Sequence, residues 1–148
     1  QRQIWTGLNN FQGLVCMYSP FFMGENKLMG QKIQWDKDEL RIVIDNLENL
    51  DHQVTTIRNA IDGKRNCAAY KEDLRALKDV FKSESKRLQR ERGSLSNEEK
   101  AFYRPAVQGG LCHLPNLGRP REWHSSLYEV GIDVGYYKHD AKELLESL

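Results

Sequence analysis

Cys112 and His113 are the first residues to test for chemistry, because a thiol and an imidazole can act as nucleophile and base. They follow Gly109-Gly110-Leu111, and the two glycines predict a loop. Side chains that are adjacent in sequence rarely point the same way, so His124 or His139 would have to approach Cys112 through the fold. The more ordinary interpretation is a small buried residue. An enzyme with Cys112 as its nucleophile is therefore the second functional alternative.

Recognisable catalytic, metal and cofactor motifs are missing from the sequence. Zinc sites repeat a closely spaced ligand pair, and the four histidines and three cysteines contain no such repeat. The glycines match neither GxGxxG nor GxxxxGK[ST], and no Gly-x-Ser-x-Gly elbow occurs. Acidic pairs such as Asp36/Asp38 suit the first turn of a helix, where carboxylates favour the macrodipole. We predict no metal, no cofactor and no catalytic residue.

A basic run near residue 90 is the best argument for nucleic-acid binding. The candidate residues are Lys82, Lys86, Arg87 and Arg90. Affinity for phosphates comes largely from concentrated positive charge. However, Glu84 and Glu91 interrupt the run, and no interleaved aromatic residues offer a platform for stacking bases. A solvated helix face is the competing interpretation, so nucleic-acid binding stands as the first alternative function.

Aromatic and apolar residues outside the long helices suggest a binding surface for a protein. Large aromatic side chains dominate interface energetics, so any that remain exposed would mark a contact patch. The partner-binding candidates are Phe21, Phe22, Met23, Trp123 and Tyr136. Core packing is the alternative for each of them. We predict a non-enzymatic interaction or scaffold module that binds a protein partner or itself, with a homodimer as one possibility.

The clearest structural element is a helix over about 36–62. Asp36 is a good N-cap, and Glu39 stands at the spacing of a capping box. Apolar residues then alternate at intervals of three and four up to Gly63, which ends the helix. They are Leu40, Val43, Leu47, Leu50, Val54, Ile57 and Ile61.

A second helix is predicted over about 66–92, and it carries a similar stripe. The stripe consists of Cys67, Tyr70, Leu74, Leu77, Phe81 and Leu88, with Glu84 at its one polar position. Because the connection is short, the two helices should fold back as an antiparallel hairpin with coiled-coil character, roughly 40 Å long. Charge favours the same pairing, since 36–62 carries net −4 and 67–92 carries net +3. A polar seam residue must be paired, and Lys37, Arg41 or Lys86 could pair with Glu84.

Shorter helices should cover this hairpin from the C-terminal side. Ser96 is a helix N-cap, and Pro105 should stop that helix at Arg104. Another is expected from Pro120 to Gly131, with Asp133 capping a last one. Residues 1–35 are apolar and form either irregular structure or a small β-hairpin. The prediction is a mainly α single domain over 1–148, divided into 1–35, the hairpin 36–92, and short helices and loops over 94–148.

Bulk composition restricts the class of protein further. A net charge of +1 over 148 residues argues against a strongly basic nucleic-acid binder and against a disordered acidic tail. Three cysteines without a close pair predict no disulfide framework. The longest apolar stretch, 14–23, is too short to span a bilayer. The chain begins at Gln1 without a Met, which suggests a fragment or processed form. We expect no membrane association and an intracellular location, cytoplasmic or nuclear.

Overall fold

The structure is a computed structural model and describes residues 33–62 and 67–148. It confirms the mainly α fold class, because four α-helices pack together and the described residues contain no strand. The helices are α1 (Lys37–Ile61), α2 (Lys71–Arg90), α3 (Arg104–His113) and α4 (Trp123–Ser147). Shorter segments are 3₁₀ turns at Cys67–Tyr70 and Pro120–Glu122 and a π-helical turn at Glu99–Tyr103. The β-hairpin considered for 1–35 lies almost wholly outside the described residues.

Asp36 caps α1 as predicted, but the rest of the capping box is supplied from elsewhere. Its Oδ1 accepts hydrogen bonds from the backbone N–H of Asp38 at 2.9 Å and of Glu39 at 3.2 Å. The N–H of Asp36 itself donates to Oε2 of Glu98 at 2.6 Å, and Glu98 is almost fully buried. The first turn of α1 is therefore tied to the segment just before α3.

The predicted apolar stripes of α1 and α2 form the core. The buried residues are Leu40, Val43, Leu47, Leu50, Val54 and Ile61 on α1, and Leu74, Leu77, Phe81 and Leu88 on α2. Each helix packs more extensively on a C-terminal helix than on the other, α1 against α4 and α2 against α3. The strip where α1 and α2 face each other is consequently the least closely packed side of the bundle.

The helix that begins at Ser96 does not stop at Pro105, contrary to the prediction. It passes through the π-helical turn and continues as α3. The N–H of Arg104 donates to the carbonyl of Glu99, five residues back. Pro105 directly follows the π-helical turn, a local irregularity of the kind at which a helix accommodates a proline.

The Gly109-Gly110 pair lies inside α3 rather than in a loop, which corrects the second local prediction. A Cβ at Gly110 would overlap the ring of Phe81 on α2, and one at Gly109 would lie 3.1 Å from Oδ2 of Asp133 on α4. Both glycines are buried. They permit α3 to approach its two neighbours closely, which explains glycine at positions where a helix would otherwise disfavour it.

α4 is one continuous helix, so neither Gly131 as a terminator nor Asp133 as an N-cap is correct. A Cβ at Gly131 would come within ordinary contact distance of Val54 and Arg58 on α1. Asp133 is buried and points toward α3. Burial of one face of α4 against α1 and α3 outweighs the local preference of glycine to end a helix.

Candidate functional site

A groove runs along the loosely packed strip between α1 and α2. It contains two adjoining cavities, of about 500 Å³ and about 430 Å³, and both are lined by Gln53 of α1 and Val80 of α2. On α1 the lining extends from Asn46 to Ile57, a helix length of roughly 16 Å. The two cavities thus form one depression long enough for several turns of a bound segment.

One end of the groove is polar and holds a connected set of side chains. Oη of Tyr103 donates to Oε1 of Glu84 at 2.8 Å. Nη2 of Arg87 donates to Oε2 of Glu99 at 3.0 Å and to Oε1 of Glu84 at 3.2 Å. Its Nη1 donates to Glu91 at 3.1 Å. The prediction that Glu84 must be paired is confirmed, although its partners are Arg87 and Tyr103 rather than Lys37, Arg41 or Lys86.

The environment fixes the protonation states in this network. Burial acts to lower the pKa of Arg87, but hydrogen bonds to Glu99 and Glu84 outweigh burial and raise it. Burial raises the pKa of Tyr103, and its hydrogen bond to Glu84 raises it further. Arg87 therefore stays charged and Tyr103 stays neutral near pH 7. A general acid or base works best with a pKa near the working pH, so neither side chain suits that role.

The π-helical turn is what brings Glu99 and Tyr103 to the groove. Ser96 Oγ accepts the backbone N–H of Glu99 at 3.0 Å and fixes the start of this segment. The wider turn that follows ends at Arg104, next to Pro105. Such π-bulges are rare and are frequent at functional sites. Sequence reasoning missed the turn; its only signal is a proline inside a stretch that otherwise continues as a helix.

The other end of the groove is less polar. Its second cavity is lined by Ile57, Ala76, Leu77 and Val80, together with the polar residues His52, Gln53, Thr56 and Asp73. Asn46, Asn49 and Gln53 stand at helical spacing along the α1 wall. Within the described part of the chain their carboxamides make no hydrogen bond. Each carboxamide offers donors and an acceptor to an occupant of the groove.

The four predicted nucleic-acid residues do not share one surface. Lys82, Lys86 and Arg90 are exposed on α2. Arg87 is half-buried at the groove and bonded to three carboxylates, so its charge is already neutralised. Arg87 therefore drops out of the predicted basic set, because it turns toward α1 and the π-helical turn.

The predicted partner-binding residues are dispersed as well. Phe21, Phe22 and Met23 lie outside the described residues. Trp123 has no exposed surface, and its Nε1 donates to the carbonyl of Asn116 at 2.8 Å, so its assignment to a contact patch is wrong. Tyr136 is half-buried and packs edge-on against Tyr137, with ring centroids 4.9 Å apart.

Cys112 and His113 end α3 and are held separately. Cys112 is disulfide-bonded rather than a free thiol. A sulfur in a disulfide is not the thiolate that a cysteine nucleophile requires. His113 turns to α4, where its Nδ1 lies 2.8 Å from Oδ2 of Asp133. This geometry does not support the cysteine-enzyme alternative.

Three further observations define what the site offers. Across 33–62 and 67–148, no three His, Cys, Asp or Glu side chains converge as metal ligands. None of the described helices is both long and apolar enough to cross a membrane. Compared with known proteins, the chain matches no family model, no curated protein and no solved structure. Function must therefore be argued from the groove and the surface charges.

Proposed function

We propose that this chain is a non-enzymatic interaction module that binds an amphipathic helical segment of a protein partner in the groove between α1 and α2. The observation that carries the proposal is the pair of adjoining cavities on the least closely packed side of the bundle. An amphipathic helix in an apolar groove is a recurring mode of recognition. Ile57 and Val80 would receive its apolar face, and the α1 carboxamides its polar edge.

Charge at the groove selects a basic partner. Asp73, Glu84 and Glu99 line the two cavities, and Arg87 is the one Lys or Arg among their lining residues. Opposite charge across an interface speeds association and suppresses wrong partners. The expected partner segment therefore carries Lys or Arg on its polar face.

A different protein fits this groove better than a second copy of the chain. The large apolar side chains exposed in the described residues are Ile42, Tyr128, Ile132 and Leu148, and none of them lines the groove. Homodimer interfaces are usually more apolar than such a scatter provides. Self-association through helical faces thus remains the competing hypothesis.

The predicted intracellular location stays a prediction. Binding in the groove does not depend on the compartment.

The test uses two synthetic helical peptides of about 14 residues, roughly 21 Å of helix, with one apolar face in common. One carries Lys and the other Glu on its polar face, and binding is followed by fluorescence anisotropy. We expect the basic peptide to bind at least about tenfold more tightly, a difference of about 1.4 kcal/mol. Binding by neither peptide, or tighter binding of the acidic one, would contradict the proposal.

A substitution inside the groove locates the contact. Ala76→Arg places a long charged side chain at the apolar cavity, and Gln89→Arg adds the same charge elsewhere on α2. Only Ala76→Arg should weaken peptide binding. Light scattering on the free protein tests self-association, the competing hypothesis. If the protein is a dimer and Ala76→Arg dissociates it, a second copy of the chain occupies the groove.

A further inference from the structure

We infer that the outward face of α2 binds the phosphate backbone of duplex nucleic acid, independently of the groove. The face carries a row of cations that we call the basic ridge: Lys71, Lys78, Lys82, Lys86 and Arg90. The last four follow one another at intervals of four residues, so they lie about 6 Å apart along the helix. The ridge runs from the first residue of α2 to its last.

Most cations of the ridge are available to a ligand. Lys71, Lys82, Lys86 and Arg90 are exposed, and in the described residues Lys82, Lys86 and Arg90 have no ion-pair partner. Lys78 is partly buried, and its Nζ donates to the carbonyl of Pro115 at 2.9 Å. Burial lowers the pKa of Lys78, and the positive charge of Lys82 lowers it further, as expected for closely spaced cations.

One acidic side chain, the exposed Asp79, lies among the ridge cations, and the other acidic side chains near α2 are largely paired, Glu72 with Arg75. On the groove side of α2, Glu84 is occupied by Arg87. The acids of α1 are matched by α4, with Glu48 2.7 Å from Lys142 and Asp51 2.6 Å from Lys138. Positive charge therefore exceeds negative charge along the ridge, although the net charge of the chain is only +1. A positive surface of this kind concentrates anions locally even on a nearly neutral protein.

The ridge extends onto the segment between α3 and α4. The hydrogen bond from Lys78 to Pro115 holds this segment beside α2, and Sγ of Cys67 donates to the carbonyl of Pro120 at 3.4 Å. Arg119 and Arg121 are exposed there, Arg119 within 3.9 Å of Glu122. Arg121 thus adds an exposed cation to a segment held beside the start of α2.

The kind of anion follows from what the ridge lacks. Protein interfaces depend on buried aromatic or aliphatic anchors. The exposed neutral residues among the ridge cations are Ser83 and Gln89, and neither can serve as such an anchor. Single strands are held by aromatic stacking, and no aromatic residue is exposed on this face of α2. Evenly spaced cations without anchors match a duplex backbone, where affinity comes from counterion release. Binding should be independent of base sequence.

The experiment measures anisotropy of a labelled DNA duplex of about 20 bp and of one of its strands alone, over a range of salt from about 50 mM. We expect the duplex to bind more tightly than the single strand. The slope of log K against log salt should be about −3 to −4, because each neutralised phosphate contributes about −0.9. Absence of duplex binding at about 50 mM salt would overturn the inference.

Two triple variants separate the ridge from net charge. Lys82→Gln/Lys86→Gln/Arg90→Gln should weaken duplex binding by about tenfold or more and reduce the slope by about 3. Lys37→Gln/Arg41→Gln/Lys142→Gln removes the same charge from exposed positions of α1 and α4 and should change binding much less. Equal losses in the two variants would show a general charge effect and overturn the proposed site.

Two controls keep the result interpretable. Gln89→Glu adds a negative charge to the ridge and leaves every cation in place, so it should also weaken duplex binding. The outcome therefore does not depend on the triple variant alone, which could lose binding through a folding defect. Poly-glutamate serves as a competitor. If poly-glutamate competes as effectively as unlabelled duplex at equal charge, the ridge binds an acidic protein partner. If the single strand binds more tightly than the duplex, the surface binds bases by stacking. Either result would overturn the assignment to a duplex.

Discussion

Nδ1 of His113 lies 2.8 Å from Oδ2 of Asp133, which joins the last residue of α3 to the middle of α4. The same nitrogen lies 3.1 Å from the carbonyl of Gly109. Asp133 is only 7% exposed, and the bare Cα of Gly109 leaves room for its carboxylate. The ion pair therefore depends on close contact between the two helices, and the sequence gives no indication of it because 20 residues separate its members.

The hydrogen bond to Asp133 raises the pKa of His113 in the folded protein, against the opposing effect of burial. Because the folded pKa lies above the unfolded value of about 6.5, the stabilisation is complete below that pH. It is lost as the pH rises through the folded pKa. Asp133→Asn should therefore reduce the free energy of unfolding more at about pH 5.5 than at about pH 8.5.

Urea denaturation of the two proteins at both pH values measures this difference. The expected loss at low pH is about 1–2 kcal/mol, modest for a charged hydrogen bond because a third of the imidazole is exposed. Glu143→Gln is the control, since it removes the carboxylate from the exposed pair with His139 on the same helix. A loss for Asp133→Asn that is equal at both pH values, or larger at high pH, would contradict the assignment.

Glu98 should be important for stability although it is a charged residue. Its carboxylate accepts the N–H of Asp36, and its side chain is only 3% exposed. Glu98→Ala removes this part-buried hydrogen bond to a charged acceptor and should cost about 1–3 kcal/mol. Glu98→Gln keeps an acceptor oxygen and should retain most of the stability. Thermal unfolding followed by circular dichroism compares them; equal losses would mean that the negative charge matters rather than the hydrogen bond.

The helical stripes could be predicted because periodicity is a local property of the sequence. Leu40 and Leu88 lie at opposite ends of their stripes and are both buried. The extent of the C-terminal helices could not be predicted from local signals. Gly131 and Pro105 resemble terminators, yet one lies against α1 and the other follows a π-helical turn. Packing between elements distant in sequence overrode both signals.

The groove was not predictable for the same reason. The sequence identified Glu84 as the one polar residue of the α2 stripe, and Glu84 does line the groove. Its partner Tyr103, however, comes from a turn that no pattern announces. The looser packing between α1 and α2 depends on how closely α3 and α4 approach them. Gly109 and Gly110, which from sequence alone look like loop residues, permit α3 to approach α4 and α2 closely.

Glu84 and Tyr103 should be energetically coupled. Glu84→Ala removes the acceptor of the Tyr103 hydroxyl and Tyr103→Phe removes a donor to Glu84, so each should destabilise the fold by about 1 kcal/mol. Their double variant should cost less than the sum, with a coupling of at least about 0.5 kcal/mol. Chemical denaturation of the four proteins of this cycle measures it. Strict additivity would mean that the 2.8 Å hydrogen bond contributes nothing.

The same network should be visible in tyrosine titration. Burial and the bond to Glu84 raise the pKa of Tyr103, so Tyr103 should resist ionisation in alkaline solution. Absorbance near 295 nm follows this directly. The number of resistant groups should fall by one in Tyr103→Phe, and one group should titrate at lower pH in Glu84→Gln. An unchanged number of resistant groups in Tyr103→Phe would assign the effect to another residue.

Two glycine substitutions should have opposite effects on stability. A Cβ at Gly110 would overlap the ring of Phe81, which is fully buried and cannot move toward solvent. Overpacking of this kind typically costs about 1–3 kcal/mol, and a gain of up to about 1 kcal/mol in helix propensity offsets only part of it. We expect Gly110→Ala to lower the free energy of unfolding.

Gly135 provides the matched comparison because it also lies inside a helix but has no atom within 4 Å of an added Cβ. Gly135→Ala should therefore show the propensity gain alone, about 0.5–1 kcal/mol of added stability. Urea denaturation of both variants tests the pair under the same conditions. If Gly110→Ala proved as stabilising as Gly135→Ala, the Phe81 ring would have to shift freely, and the close contact of α2 with α3 could not be the reason for glycine at that position.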